Sequence, residues 1–220
     1  MSSSVSLKLP DPGRDCPSCP RLVAFRETHR ALSPDWHNAP VLTFAAPRPR
    51  LLIVGLAPGL RGANKTGRPF TGDYAGDLLY ETLVDFGFAR GTYQARPDDG
   101  LELVDAAITN AVRCVPPENK PVGAEIRNCL PYLSETIEAL PSLVCLVALG
   151  RIAHDATLSA LAVRRAAHPF GHNARHDPRE GLALFDSYHC SRYNTNTGRL
   201  TREMFRDVFV AVRAEIDAAT

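Results

Sequence analysis

Short apolar runs alternate with amphipathic stretches four times along this chain, and that alternation leaves few architectures open. Leu51-Leu52-Ile53-Val54-Gly55 holds no polar side chain and is rich in branched ones, as a strand covered on both faces requires. Further strands are expected at 105–110, 143–149 and 182–186. Helices are expected at about 74–87, 122–139 and 151–161, and a last one carries Phe205, Val208, Phe209, Val212 and Ile216 on one face. An Arg-rich amphipathic helix from Pro20 to about Leu32 precedes them. Residues 1–15 are expected over the surface, 35–50 as irregular chain, 88–102 as a polar connection and 164–180 as an exposed loop. Strand–helix order repeated in this way predicts an α/β fold: three α/β/α layers around a central, mostly parallel four-stranded sheet, in one domain over residues 1–220.

The first strand runs into a long loop, Gly55-Leu56-Ala57-Pro58-Gly59 and then Gly67-Arg68-Pro69-Phe70-Thr71-Gly72-Asp73, before its helix begins. Open α/β sheets place ligands at the carboxyl ends of their strands. The polar clusters after strands one, two and four should therefore share an edge. That brings Phe70, Asp73, Asn110 and His189 toward one pocket. Each has a plainer reading as well: a core aromatic for Phe70, a helix N-cap for Asp73, a turn residue for Asn110. His168, His172 and His176 are spaced irregularly and read as solvated loop residues. Gly59-Leu60-Arg61-Gly62-Ala63-Asn64-Lys65-Thr66 is not a phosphate-binding P-loop, because Asn64 stands where that loop needs glycine.

Composition excludes several classes. A hydrophobic share of 45% and a charged share of 22% suit a soluble globular chain. No run approaches the ~18 apolar residues of a membrane span, and Met1-Ser2-Ser3-Ser4-Val5 lacks a secretory pattern, so a cytoplasmic protein is expected. A net charge of +1 gives no global attraction to nucleic acid. Of six cysteines, Cys145 reads as core, whereas Cys16 and Cys19 form a C-x2-C pair among loop residues. With Cys114 and Cys129 they make a candidate four-thiolate metal site, and spacing alone does not choose zinc from an iron–sulfur cluster.

Taken together, Gly55–Gly59, Gly67–Asp73, Thr109-Asn110-Ala111-Val112-Arg113-Cys114, Pro116-Pro117-Glu118-Asn119-Lys120-Pro121 and His189-Cys190-Ser191 resemble the uracil-DNA glycosylase superfamily. More narrowly, they are similar to its family-five (type b) bacterial and archaeal enzymes. The resemblance runs from Cys16 to the last helix, with the motifs in the family's order. It implies that Cys16, Cys19, Cys114 and Cys129 hold a 4Fe–4S cluster of structural role.

It also implies a hydrolase that releases uracil, and with it hypoxanthine and xanthine, from double- or single-stranded DNA containing deaminated bases. Such an enzyme starts base excision repair, and a monomer is expected. Phe70 would stack on the flipped base, and Asn110 would read its edge and assist the chemistry, with Asp73 favoured over it as the activator of water. His189, with backbone amides of Gly55, Leu56, Ala57 and Gly59, would stabilise the departing base, while Asp73 would orient water. Ser191 and Arg192 would contact phosphate or fill the gap left by the base. Two positions depart from the superfamily pattern. Leu56 replaces a polar water-positioning residue, a lack that family five shares, and Cys190 stands where proline is commoner. Leu56 also keeps open a catalytically weak or inactive lesion-binding protein on the same fold.

Overall fold

The computed structural model describes residues 9–219. Met1–Val5, read for a leader, and the first part of the expected surface segment lie outside the described residues. The chain enters through helix α1 (Pro20–Leu32), with Pro20 in the first turn, where its missing N–H goes unmissed. Strands β1 (Phe44–Ala45) and β2 (Leu51–Gly55) follow, then a one-turn helix α2 (Ala63–Thr66) and helix α3 (Tyr74–Asp85). A two-stranded ribbon, β3 (Ala89–Arg90) and β4 (Glu102–Leu103), leads to β5 (Ala106–Asn110) and helix α4 (Gly123–Glu138). The rest runs β6 (Cys145–Leu149), α5 (Arg151–Ala160), β7 (Arg175–Arg179), β8 (Leu182–Ser187), α6 (Arg192–Asn196) and α7 (Arg202–Ala218).

The main sheet has the order β1-β5-β2-β6-β8-β7. Its four central strands are parallel, and both edge strands are antiparallel to their neighbours. The expected four strands are all present, but the sheet has six. Both additions are edge strands outside the expected four. β1 is two residues long, and β7 reads Arg-His-Asp-Pro-Arg, with alternate residues exposed and a proline tolerated because it sits on an edge. The expected loop at 164–180 therefore contains a strand, and the 88–102 connection is closed at its ends by the β3–β4 ribbon.

Side chains of the central strands alternate between two cores. Leu51 and Ile53 face Leu79, Leu83, Phe205 and Phe209 of α3 and α7, whereas Leu52 and Val54 face Leu133, Ile137, Ala153 and Ala156 of α4 and α5. Helices on both faces leave Leu51–Val54 fully buried, which explains the unbroken apolar run. From β2 the chain steps to β5 on one side and later to β6 on the other, so strand order reverses beside β2. The crevice outside such a reversal is where open sheets bind ligands.

No described helix is long and apolar enough to cross a membrane.

Candidate active site

A cleft of about 670 Å³ opens at the carboxyl ends of the parallel strands. Leu56 reaches it from the end of β2, Asn110 from β5, and His189, Ser191 and Arg192 from the segment after β8, with Phe70 and Asp73 on the loop before α3. Ala57 and Gly59 also line it. The residues expected to converge thus meet in one place, apart from Gly55.

Gly55 lies beneath the cleft, in register with Asn110 on the neighbouring strand. A Cβ there would stand 2.4 Å from Asn110 Oδ1 and 2.6 Å from Phe70 Cζ, so only glycine lets both side chains sit over this strand end. Phe70 is at once a core residue and a wall of the cleft: it is 7% exposed and packs against the α3 face of the sheet. Its ring lies near that of His189, centroids 6.0 Å apart and planes inclined by 27°. Its backbone takes a left-handed φ of 52°, a conformation that non-glycine residues hold only when their surroundings enforce it.

Those surroundings are a buried polar scaffold that the sequence did not reveal. Arg68 grips Asp99 with both terminal nitrogens, at 2.8 and 2.7 Å, and its Nε donates to Thr71 Oγ1 at 2.7 Å. The guanidinium lies 5.3 Å from the ring centre of Tyr80 and 5.7 Å from that of Tyr93. Tyr80 Oη donates to the Pro69 carbonyl at 2.6 Å, and Tyr93 Oη to the Phe70 carbonyl at 3.1 Å. Arg68 sits inside the motif that marked this loop, but Asp99 lies in a polar connection with no pattern to single it out.

Asp73 caps α3 by accepting from Gly76 N at 3.4 Å, and its carboxylate also lines the cleft. Room for it comes from Gly62, where a Cβ would stand 2.4 Å from Oδ2. Burial raises its pKa, against the pull of the Gly76 and Ala75 amides. Asp73 is the sole carboxylate among the described residues that line the cleft. His189 is pushed down to about 4 by burial alone, so its imidazole is neutral at pH 7. Tyr188 N donates to His172 Nδ1 at 3.2 Å, and Asn194 Nδ2 to the His189 carbonyl at 2.8 Å, which fixes the backbone on both sides of that ring. Asn110 is 2% exposed, and among the described residues nothing hydrogen-bonds its side-chain amide.

A profile of the uracil DNA glycosylase superfamily matches residues 42–213. The chain belongs to this superfamily. It is 46% identical over 204 residues to the type-5 uracil-DNA glycosylase of Thermus thermophilus, covering 90% of this chain and 92% of that protein. Identity to the type-5 enzyme of Pyrobaculum aerophilum is 39% over 208 residues, covering 91% and 89%. The type-4 uracil-DNA glycosylase of Pyrobaculum aerophilum matches over a shorter span, 39% over 116 residues and 52% of this chain.

Other residues of these motifs make further contacts. Ser191 caps α6 through Asn194 N, and Arg192 lies over the ring of Tyr74. Cys190 is fully buried, with its thiol toward the Ala75 carbonyl at 3.5 Å. Asn119, from the proline-rich loop, reaches the cleft. The histidines of 168–176 are not simply solvated. His176 Nε2 lies 2.9 Å from Asp186 Oδ2, and His154 Nδ1 2.7 Å from Oδ1. His154 also meets the His168 carbonyl through Nε2 at 2.9 Å, so acceptors face both ring nitrogens, which favours the charged ring.

Cys16, Cys19, Cys114 and Cys129, from segments far apart in the chain, line one small pocket with Leu22, and none forms a disulfide. Arg26 lines it too, and its buried Nε has no hydrogen-bond partner. Among the described residues, the only His, Cys, Asp or Glu trio with all ligating atoms within 4.8 Å is His154, His176 and Asp186. No three of the four thiols therefore lie as close together as the sulfurs around one zinc, which at a bond of about 2.3 Å lie roughly 3.8 Å apart.

Proposed function

We propose that this protein is a DNA glycosylase that hydrolyses the N-glycosidic bond of uracil in DNA. The observation that carries the reading is the meeting of Phe70, Asp73, Asn110 and His189 in one cleft of a superfamily member. A base in a duplex is inaccessible to this cleft and must be rotated out of the stack. Phe70 then offers a rigid face, and the unpartnered Asn110 amide offers a donor and an acceptor to the pyrimidine edge. As the bond from C1′ to the base nitrogen breaks, its electron pair passes to the base. The neutral His189 donates a hydrogen bond to the base oxygen where that charge collects, assisted by amides of the loop that follows β2. Water adds to C1′ from the side of Asp73, whose carboxylate takes the proton and offsets charge on the sugar. The Leu56 side chain carries no polar atom, so water activation falls to Asp73.

Hypoxanthine and xanthine belong to the same proposal: the cleft is roomy for one pyrimidine and apolar at Leu56, which suits larger bases. With Ser191 engaged as a cap, Tyr193, 73% exposed on α6, is the side chain that fills the gap in the stack. The wide, arginine-flanked set of four cysteines suits a 4Fe–4S cluster, which would tie the N-terminal segment to the chain after β5.

The test is single-turnover base release from a uracil-containing duplex, read by strand scission at the abasic site. Wild type should release base, Asp73→Asn should lose rate far more than DNA affinity, and Asn110→Ala should lose activity on uracil. A wild-type protein that binds the duplex without releasing base is the lesion-binding alternative.

A further inference from the structure

A second groove, of about 700 Å³, adjoins the cleft and shares Arg61 and Gly72 with it. Its walls carry Arg14, Lys65 and Arg96, and its floor holds Trp36, the single tryptophan of the chain. Lys65 Nζ stands 5.9 Å from the Trp36 ring centre. Two carboxylates, Asp35 and Asp98, also line the groove, and Asp98 lies 3.6 Å from Arg96 Nε. Among the described residues Arg14, Arg61 and Lys65 pair with no carboxylate. A chain whose net charge is only +1 therefore gathers unneutralised cations around one half-exposed aromatic ring, next to its active cleft.

The groove is held in shape. His37 N donates to the Lys65 carbonyl and Asn38 N to that of Asn64, both at 3.1 Å, while Asn64 Nδ2 donates to Asn38 Oδ1 at 2.9 Å. The segment after α1 is thereby sewn to α2, and α2 continues into the loop that carries Phe70. Asn64, which spoils a P-loop, is one of the stitches.

We infer that this groove carries the DNA strand beyond the flipped nucleotide, with phosphates against Arg14, Arg61 and Lys65 and an unpaired base on Trp36. Cations along a groove track a phosphate backbone, and an aromatic floor among them accepts any base face, the pairing found in single-strand binders. A paired base has no face to offer, so the groove favours single-stranded flanks. The inference rests on the glycosylase reading for its substrate.

Because Trp36 is the single tryptophan, its emission reports this groove directly. Titration of the wild-type protein with a uracil-free single strand of about 16 nucleotides should quench that emission, and the same sequence fully paired should quench it much less. Base release is then compared on a deoxyuridine-centred trinucleotide and on a long single strand. Trp36→Ala and the double variant R14Q/K65Q should each lower the ratio of kcat/KM for the long strand to that for the trinucleotide, about tenfold for Trp36→Ala. The double variant should also flatten the slope of log affinity against log salt by about 1.4. Emission unmoved by the single strand, equal quenching by the duplex, or an unchanged ratio overturns the inference. Failure of the glycosylase reading looks different: no base leaves either substrate, while quenching still reports the groove.

Discussion

Arg68 and Asp99 form a two-pronged ion pair closed off from solvent, side chains 7% and 0% exposed, directly behind the loop that holds Phe70. The guanidinium draws the Asp99 carboxyl well below the usual carboxylate range, helped by the Gln94 and Leu101 amides. Asp99→Asn leaves a buried cation without its partner, which costs about 3–5 kcal/mol. The expected outcome is a lower urea midpoint, together with a loss of base release larger than the loss of folded protein. Release that merely tracks the folded fraction would mean that the pair stabilises the fold without shaping the cleft.

Gly55 gives a sharper separation of stability from activity. A methyl group there collides with Asn110 Oδ1 and with Phe70, both in the cleft wall. Overpacking of this kind costs about 1–3 kcal/mol. Gly55→Ala should fold, as circular dichroism melting would show, yet release uracil at least tenfold more slowly. Wild-type turnover in a folded Gly55→Ala protein would remove either Phe70 or Asn110 from the reaction.

Two histidines pull the pH dependence of stability in opposite directions. Burial pushes His189 down to about 4, whereas an unfolded histidine titrates near 6.5. Between those values the unfolded chain binds a proton that the native protein refuses, so stability rises with pH. For His154 burial opposes the charge, but the hydrogen bond and charge of Asp186 outweigh it and the pKa is raised. That contribution is complete below about 6.5 and is lost as pH rises through the raised value. A plot of Tm against pH should therefore pass through a maximum. His189→Asn should flatten its acid side and His154→Asn its alkaline side, and variants that both keep the wild-type profile would show that neither ring governs it.

The parallel core of the fold was legible because strands covered on both faces must be apolar throughout, as Leu51–Val54 and Cys145–Leu149 are. The edges were not. β7 is exposed on alternate positions and broken by Pro178, so it carries no apolar signal to separate it from loop. The cleft followed the same division. Phe70, Asn110 and His189 stand at the ends of readable strands or in glycine-punctuated loops, where topology predicts their meeting. Asp99, Tyr93 and Trp36 act through contacts between segments that share no periodicity, and His176 looked solvated because its partners, Asp186 and His154, lie on other elements. Long-range polar pairing leaves no local pattern in a sequence.

The four cysteines give the last test. Four thiols, no three of them within 4.8 Å of one another, beside a buried arginine whose Nε makes no hydrogen bond, suit a group that is larger than an ion and carries negative charge. Protein purified without oxygen should be brown and contain iron and acid-labile sulfide in equal amounts. Cys114→Ser should lose the colour and lower Tm, since Cys114 joins the segment after β5 to α1 and α4 through Leu22 and Cys129. Uracil release by whatever Cys114→Ser protein remains folded should persist, because no cysteine of this set lines the cleft. A colourless wild-type protein loaded with zinc would overturn the cluster, and a folded, brown Cys114→Ser protein would remove this residue from its ligands.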